Sequence, residues 1–312
     1  MGAKLYKYLG PEIVGRAFEE RGACTFKCSL PRDFNDPFEL FLTIDYQQDP
    51  DVLAYYREVI GAIPQRPTTC FSKSPEVIPM WAHYAENHTG IVLEVDEDCV
   101  SETHPETAFG DVEYLAEADP GILAALHHAQ TTCKPRHVYM LQKAVLSAAY
   151  YTKHTCWAHE QERRLLAHDD DIVTVDGLLL FPVSIECITA VIVGYRATDA
   201  MKEALKKIAA ATNSRYLEMR IGRSSIKPHF VDEAGAVWVF DEGQIIRCKS
   251  TCLSCGQPVD DDKDTCSWCA ITSEDDEHAA RRNPMRMLSS YGMLEGYYKD
   301  TSEIDRRFRK KE

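Results

Sequence analysis

The stretch YYTKHTCWAHEQERRLLAH, Tyr150 to His168, admits two readings, and the fold turns on the choice between them. As a strand over 160–166 it projects Glu160, Glu162 and Arg164 from one face, because side chains alternate along an extended chain. Two carboxylates so placed raise one another's pKa, and the neighbouring guanidinium lowers it again. As a helix it sets Glu160 beside Arg163 or Arg164, three or four residues on, in an ordinary surface ion pair. Local sequence alone favours the helix.

The flanks bear on the choice. Downstream, extended segments are expected near 163–167, 172–176, 178–183 and 188–194. Upstream, residues 119–150 read as helical pieces broken at Pro135, and GIVLEVD (90–96) is an apolar run suited to a buried strand. Near the start, Leu5, Tyr6 and Tyr8 mark a strand stopped by Gly10-Pro11. A helix over 12–21, ended by Gly22, and a strand ACTFKCS (23–29) follow. PRDFNDPFE (31–39) reads as a polar turn, TTCFS (68–72) as extended, and Pro79 as the start of a helix carrying Met80, Trp81 and Tyr84. The clearest helix spans 199–211, with Met201, Leu205 and Ile208 on one face and lysines on the other. Extended pieces are expected again at 216–221, 226–231 and 236–240. Helices and strands alternate without a βαβ rhythm, so the expected class is α+β, a mixed sheet with helices.

Composition narrows the function. The 312 residues include 49 acidic and 35 basic side chains, a net charge of −14, with 45% hydrophobic residues. Residues 1–247 carry 36 acidic and 24 basic side chains, a net of −12, whereas 270–312 carry nine of each. That disfavours non-specific nucleic-acid binding by the main body. No apolar run reaches the length of a membrane helix, and MGAKLYKYLG lacks the apolar stretch of a signal peptide, so a cytoplasmic protein is expected. P-loop, dinucleotide-binding and nucleophile-elbow motifs are absent.

Twelve cysteines are present, and five crowd between Cys248 and Cys269. CLSCGQPVDDDKDTCSWC supplies Cys252, Cys255, Cys266 and Cys269 in a C-x2-C-x10-C-x2-C pattern, the spacing of a structural zinc ribbon. Gly256 suits the first knuckle; Cys248 lies near but completes no pair. The remaining eight cysteines are expected as free thiols. The acidic loop 260–264 would repel phosphates, so the ribbon is expected to dock a protein partner through residues such as Trp268. The expected divisions are a main domain (1–247), the ribbon (248–272) and a polar tail (273–312), whose RRFRKKE end reads as solvated.

YKY (6–8), FNDPFE (34–39), CFS (70–72), MWAHY (80–84), TGIVLEVD (89–96) and K-x3-W-x2-E-x-E-R-R (153–164) occur in that order. This ordered set resembles a bacterial family labelled a domain of unknown function, over residues 3–230. The label names no activity. More distantly, the layout resembles the ADP-ribosyltransferases, which place a basic or aromatic residue on an early strand, a Ser or Tyr on a middle strand, and a Q/E-x-E pair on a later one. Here those places fall on Lys7 with Tyr6 or Tyr8, on Ser72, and on Glu160-Gln161-Glu162. Lys7 stands where Arg or His is usual, and CFS replaces Ser-Thr-Ser.

The resemblance implies an ADP-ribosyltransferase-like fold using NAD. Glu162 would stabilise the positive charge that develops on the ribose, and Glu160 would orient the acceptor. Lys7 and Tyr6 would contact the cofactor, Ser72 would brace Glu162, and Trp81 or Tyr84 would give the nicotinamide an apolar wall. The expected activity is ADP-ribosyl transfer to a macromolecule, protein or nucleic acid, in a toxin or an anti-phage effector. The alternatives are a non-enzymatic binding module with the ribbon as docking element, or a nuclease-like effector holding a metal on Asp36, His83 and Glu162.

Overall fold

The computed structural model describes residues 2–19, 22–36, 43–63 and 65–309. The chain divides into two compact units, Met1–Cys248 and Lys249–Glu312. The first unit opens with β1 (Lys4–Leu9), α1 (Pro11–Ala17) and β2 (Ala23–Cys28). A 3-10 turn at Pro31–Asp33 and α2 (Pro50–Gly61) lead to β3 (Thr68–Ser72), α3 (Ile78–His83) and β4 (Ile91–Asp96). Next come α4 (Glu97–Thr103), β5 (Ala108–Asp111), β6 (Glu113–Leu115), α5 (Pro120–Thr132) and α6 (Pro135–Tyr151). β7 (Thr152–His154), a 3-10 turn (Thr155–Glu160) and β8 (Glu162–Leu166) precede β9 (Val173–Val175), β10 (Leu178–Ser184) and β11 (Ile188–Val193). The unit closes with α7 (Asp199–Ala211), β12 (Arg215–Arg220), β13 (His229–Val231), β14 (Val237–Asp241) and β15 (Gln244–Arg247).

The class is α+β. Ten strands form one mixed sheet in the order β15-β14-β13-β12-β11-β4-β1-β3-β8-β5, beside a second sheet β2-β10-β9. β4 and β11 run through the middle and are buried on both faces, as their largely apolar sequences suit, with Glu94 of β4 buried among them. Leu5, Leu9, Phe71, Leu93 and Leu165 share one core with Phe26 and Phe181 of the second sheet. Tyr6, Tyr8, Val92 and Ile192 face the other way, onto Trp81, Leu217 and Phe230. Gly90 permits the close approach of the chain to the end of β1, since a Cβ there would lie 2.2 Å from the Leu9 carbonyl oxygen.

The helix favoured for 160–166 does not form. Residues 155–160 make a 3-10 turn, Gln161 takes the left-handed conformation (φ 47°), and β8 then pairs with β3 on one side and β5 on the other. Sheet pairing outweighs the local helical preference, because Leu165 and Leu166 gain burial as part of the sheet. Glu160 therefore sits on the turn, and only Glu162 and Arg164 belong to the strand.

One further difference concerns the cysteines. Cys99 and Cys187 form a disulfide linking α4 to the turn before β11, so these two are not free thiols. The polar segment 273–309 is helical and largely exposed: α8 (Ser273–Arg282), α9 (Pro284–Ser290) and α10 (Leu294–Arg309). Thr272 and Asp275 form a reciprocal capping box at the start of α8. The parts of two motifs that fall at 37–39 and 310–312 lie outside the described residues. Among the described residues no helix is long and apolar enough to cross a membrane.

Candidate functional site

β1 pairs with β4 at six positions and β3 pairs with β8 at five, but β1 meets β3 at one alone, Tyr6 opposite Ser72. The sheet is therefore continuous yet opens beyond that pair. A cavity of about 390 Å³ occupies the opening. Tyr6, Lys7 and Tyr8 of β1, Thr69 to Ser72 of β3, Thr25 and Lys27 of β2, Phe34, Asn35, Tyr84, Lys153, Glu160, Glu162 and Arg164 line it.

Register explains why distant motifs meet. Tyr6, Ser72 and Glu162 lie opposite one another across β1, β3 and β8, so their side chains share a face. Arg164, two residues along β8, joins Glu162 there. Glu162 is 4% exposed and Arg164 1%. Arg164 donates from Nε to Glu162 Oε1 at 2.8 Å and from Nη2 to Oε2 at 3.1 Å, a two-point clamp. Its Nη1 donates to the Tyr150 carbonyl at 2.8 Å, and its guanidinium lies 4.9 Å from the Phe34 ring centre.

A second cation closes the network. Lys153 Nζ donates to Glu160 Oε2 at 2.6 Å and to Glu162 Oε2 at 3.2 Å. It also lies 4.8 Å from the Trp157 ring centre. Tyr84 donates its hydroxyl proton to Glu160 Oε1 at 2.6 Å and hydrogen-bonds Asn35. Burial pushes the Glu162 carboxyl above the usual range, opposed by the Lys153 charge. For Lys153, burial works against the ammonium, but Glu162 and Glu160 outweigh it and hold the proton more tightly than usual. Burial lowers Arg164 to about 9, with Asp36 acting the other way, so the guanidinium is charged at neutral pH.

Lys7 is placed differently from its strand neighbours. It points to the face of Leu5 and Leu9, and Nζ donates to Thr69 Oγ1 and to the Cys70 carbonyl, each at 2.7 Å. Phe26 and Phe71 lie beside it, and burial lowers its pKa. Lys7 lines the cavity, but its ammonium is already engaged where β1 and β3 part. Ser72 is fully buried, and its Oγ accepts from the Ser74 N–H at 3.2 Å. Trp81 is fully buried with Nε1 donating to the Pro75 carbonyl, and it is not part of the cavity wall. Tyr84 is.

The sequence placed Arg164 beside Glu162 as a charge that lowers its pKa but assigned no role to Lys153, although both stand in the K-x3-W-x2-E-x-E-R-R motif. Their signal was charge balance: two buried carboxylates require two nearby cations. Asp36, His83 and Glu162 do not gather as a metal site; among the described residues the candidate metal cluster is Cys252, Cys255, Cys266 and Cys269.

Residues 80–165 match the model of a family described as a protein of unknown function (DUF2971). The matched segment contains Tyr84, Lys153, Glu160, Glu162 and Arg164, while Tyr6, Lys7 and Ser72 lie outside it. No curated protein and no solved structure matches the chain.

In the second unit the four cysteine sulfurs lie within 4.8 Å of one another. Cys255 and Cys266 Sγ are 3.8 Å apart, the edge of a tetrahedron with metal–sulfur bonds of ~2.3 Å. Gly256, at φ +73°, turns the first knuckle, and the Cys269 N–H donates to Cys266 Sγ. Backbone N–H groups donating to its sulfur, that of Cys266 foremost, hold Cys252 down to about 6, while the neighbouring Cys266 and Cys255 sulfurs push Cys269 up to about 12. Four sulfurs so close would be deprotonated together only around a cation, and the set could hold a metal such as zinc. Cys248 is not part of it.

Proposed function

We propose that the first unit is an ADP-ribosyltransferase-like enzyme that breaks the nicotinamide–ribose bond of NAD and passes the ADP-ribosyl group to a macromolecule. The observation that carries this reading is Glu162, a buried carboxylate on the wall of a cavity with Tyr6, Ser72, Tyr84 and Glu160. In the reaction the C1′–N bond breaks and its electron pair leaves with nicotinamide, which departs neutral. Positive charge grows on the ribose, and the Glu162 carboxylate stabilises it more than the ground state. The acceptor's lone pair then bonds to C1′, and its proton passes to Glu160. Lys153 and Arg164 keep Glu162 oriented.

The direct test is incubation with labelled NAD and cell extract, comparing wild type with Glu162→Gln. Nicotinamide release and label transfer are expected from wild type and a loss of about 10²–10³-fold from the variant. Absence of both from wild type overturns the reading. The rival is a non-enzymatic binding module. It draws on one feature: Lys153 and Arg164 between them engage both Glu162 oxygens, as a purely structural ion network would. For the second unit we propose a structural zinc ribbon that serves as a docking element, with Leu253 and Trp268 exposed on its two knuckles.

A further inference from the structure

The cavity has four cationic side chains on its wall, and three already have partners. Lys153 is held by Glu160 and Glu162, Arg164 by Glu162 with Asp36 nearby, and Lys7 by Thr69 and the Cys70 carbonyl. The fourth, Lys27, is exposed on β2 and has no acidic partner among the described residues. Thr25 and Ser29 stand two residues to either side of it. In an extended chain that spacing brings all three side chains to one face at steps of ~6.6–6.8 Å. The opposite face, Cys24, Phe26 and Cys28, is buried in the core, so β2 cannot rotate to hide the polar set. Both backbone groups of Ser29 are taken by Thr68. The Thr25 and Ser29 hydroxyls line the cavity and have no side-chain hydrogen bond among the described residues.

We infer that Thr25, Lys27 and Ser29 form an anion subsite at the cavity, which seats the phosphate or pyrophosphate of a nucleotide ligand. An ammonium with no acidic partner among the described residues, flanked by two hydroxyls, supplies three donor groups that suit an oxyanion, while the Asp33 carboxylate on the same wall has an interaction of its own. Glu160 and Glu162 line the same cavity and suit a ribose hydroxyl or a cationic ring. The two sets together select a ligand that carries an anionic group and a polyhydroxylated or cationic one. In the case of NAD this assigns the pyrophosphate to Lys27 in place of Lys7, and to that extent it rests on the proposed activity; the anion subsite itself does not.

The test uses the full chain with its metal and measures affinity by calorimetry for NAD, ADP-ribose, inorganic pyrophosphate and nicotinamide riboside. Lys27→Ala is expected to weaken the first three by about 10–100-fold and to leave the uncharged-tail riboside unchanged. Thr25→Ala and Ser29→Ala should each weaken them several-fold. Lys27 is exposed, so the variant's thermal midpoint should match wild type, and a fall in midpoint would itself count as an overturning result. Equal affinities in wild type and Lys27→Ala, or no affinity of the wild type for any of the three phosphates, overturn the subsite. The failures are separable. If NAD binds through Lys27 but no nicotinamide is released, the activity falls and the subsite stands. If nicotinamide is released with Lys27→Ala unchanged in affinity and KM, the reverse holds.

Discussion

The cysteine cluster of the second unit and the charged end of the cavity in the first are both four-residue constellations, built by opposite means. Cys252, Cys255, Cys266 and Cys269 lie within 18 residues of sequence, on turns with little core behind them. Lys153, Glu160, Glu162 and Arg164 lie within 12, but they come from different supports: Glu162 and Arg164 from β8 of the ten-stranded sheet, Lys153 from β7, which pairs with β6 in a two-stranded sheet, and Glu160 from the 3-10 turn between them. The first is fixed by the ligands' own spacing, the second by strand register and by how those elements pack. That contrast predicts where each unit is vulnerable.

The largest effect belongs to the cysteines. With a metal bound, its binding energy is the folding energy of the knuckles, on the order of 10–16 kcal/mol in small zinc sites. Cys255→Ser with Cys269→Ser should therefore abolish metal content and leave 249–272 open to hydrogen exchange and proteolysis. The first unit should keep its unfolding midpoint. A midpoint that falls with the metal would break the contrast, because the body would then depend on the cluster.

The next effect is in the network. Arg164→Met removes the cation that clamps Glu162 and leaves a buried carboxylate short of partners. Loss of one member of a buried pair costs about 3–5 kcal/mol. Denaturant unfolding of the first unit should show that fall, with metal content unchanged. Adding Glu162→Gln to Arg164→Met should recover part of it, since the orphaned charge is then gone. If the single variant unfolds no more easily than wild type, the network is not what orders this end of the sheet.

The same contrast explains what could be read from the sequence. The C-x2-C pairs needed no tertiary information, because two thiolates one turn apart point at one ion whatever surrounds them. Glu162 could be flagged from its motif, but its face could not, since a helix over 160–166 was locally the better reading. Gln161 decides the matter by turning left-handed between the 3-10 turn and β8, and nothing in EQERR announces it. Lys7 shows the limit most clearly. Its neighbours Tyr6 and Tyr8 face Trp81, so alternation alone sends Lys7 to the opposite side, onto Phe26 and Phe71. Its partner, the Cys70 carbonyl, is accessible only because β1 and β3 part after one pair. The splay is a property of the whole sheet, as is the cavity it opens. The Cys99–Cys187 disulfide is equally illegible: it joins residues 88 apart through the packing of α4.

The smallest effect tests whether burial, and not ion pairing as such, sets the hierarchy. Lys4 Nζ meets Asp96 Oδ2 at 2.6 Å near the start of β1, with both side chains partly open to water. Burial raises the Asp96 carboxyl, but the Lys4 ammonium and the Cys99 N–H outweigh it and hold the group below the ordinary carboxylate value. A group with a lowered folded pKa binds fewer protons folded than unfolded in the window between the two values. Its stabilisation is therefore complete above the unfolded value, ~3.9, and is lost as pH falls through the folded one. Asp96→Asn keeps a side-chain oxygen for the α4 cap, so it isolates the charge. The expected loss near neutral pH is about 0.2–1 kcal/mol, shrinking in 1 M salt. As pH falls through the folded value, the unfolding midpoints of variant and wild type should converge. The pair is as short as the Lys153–Glu160 contact, so distance alone would rank the two together. If Asp96→Asn matched Arg164→Met in cost, or if its effect persisted in acid and in high salt, the buried end of the cavity would have no special standing, and the order of effects argued from register and burial would fail.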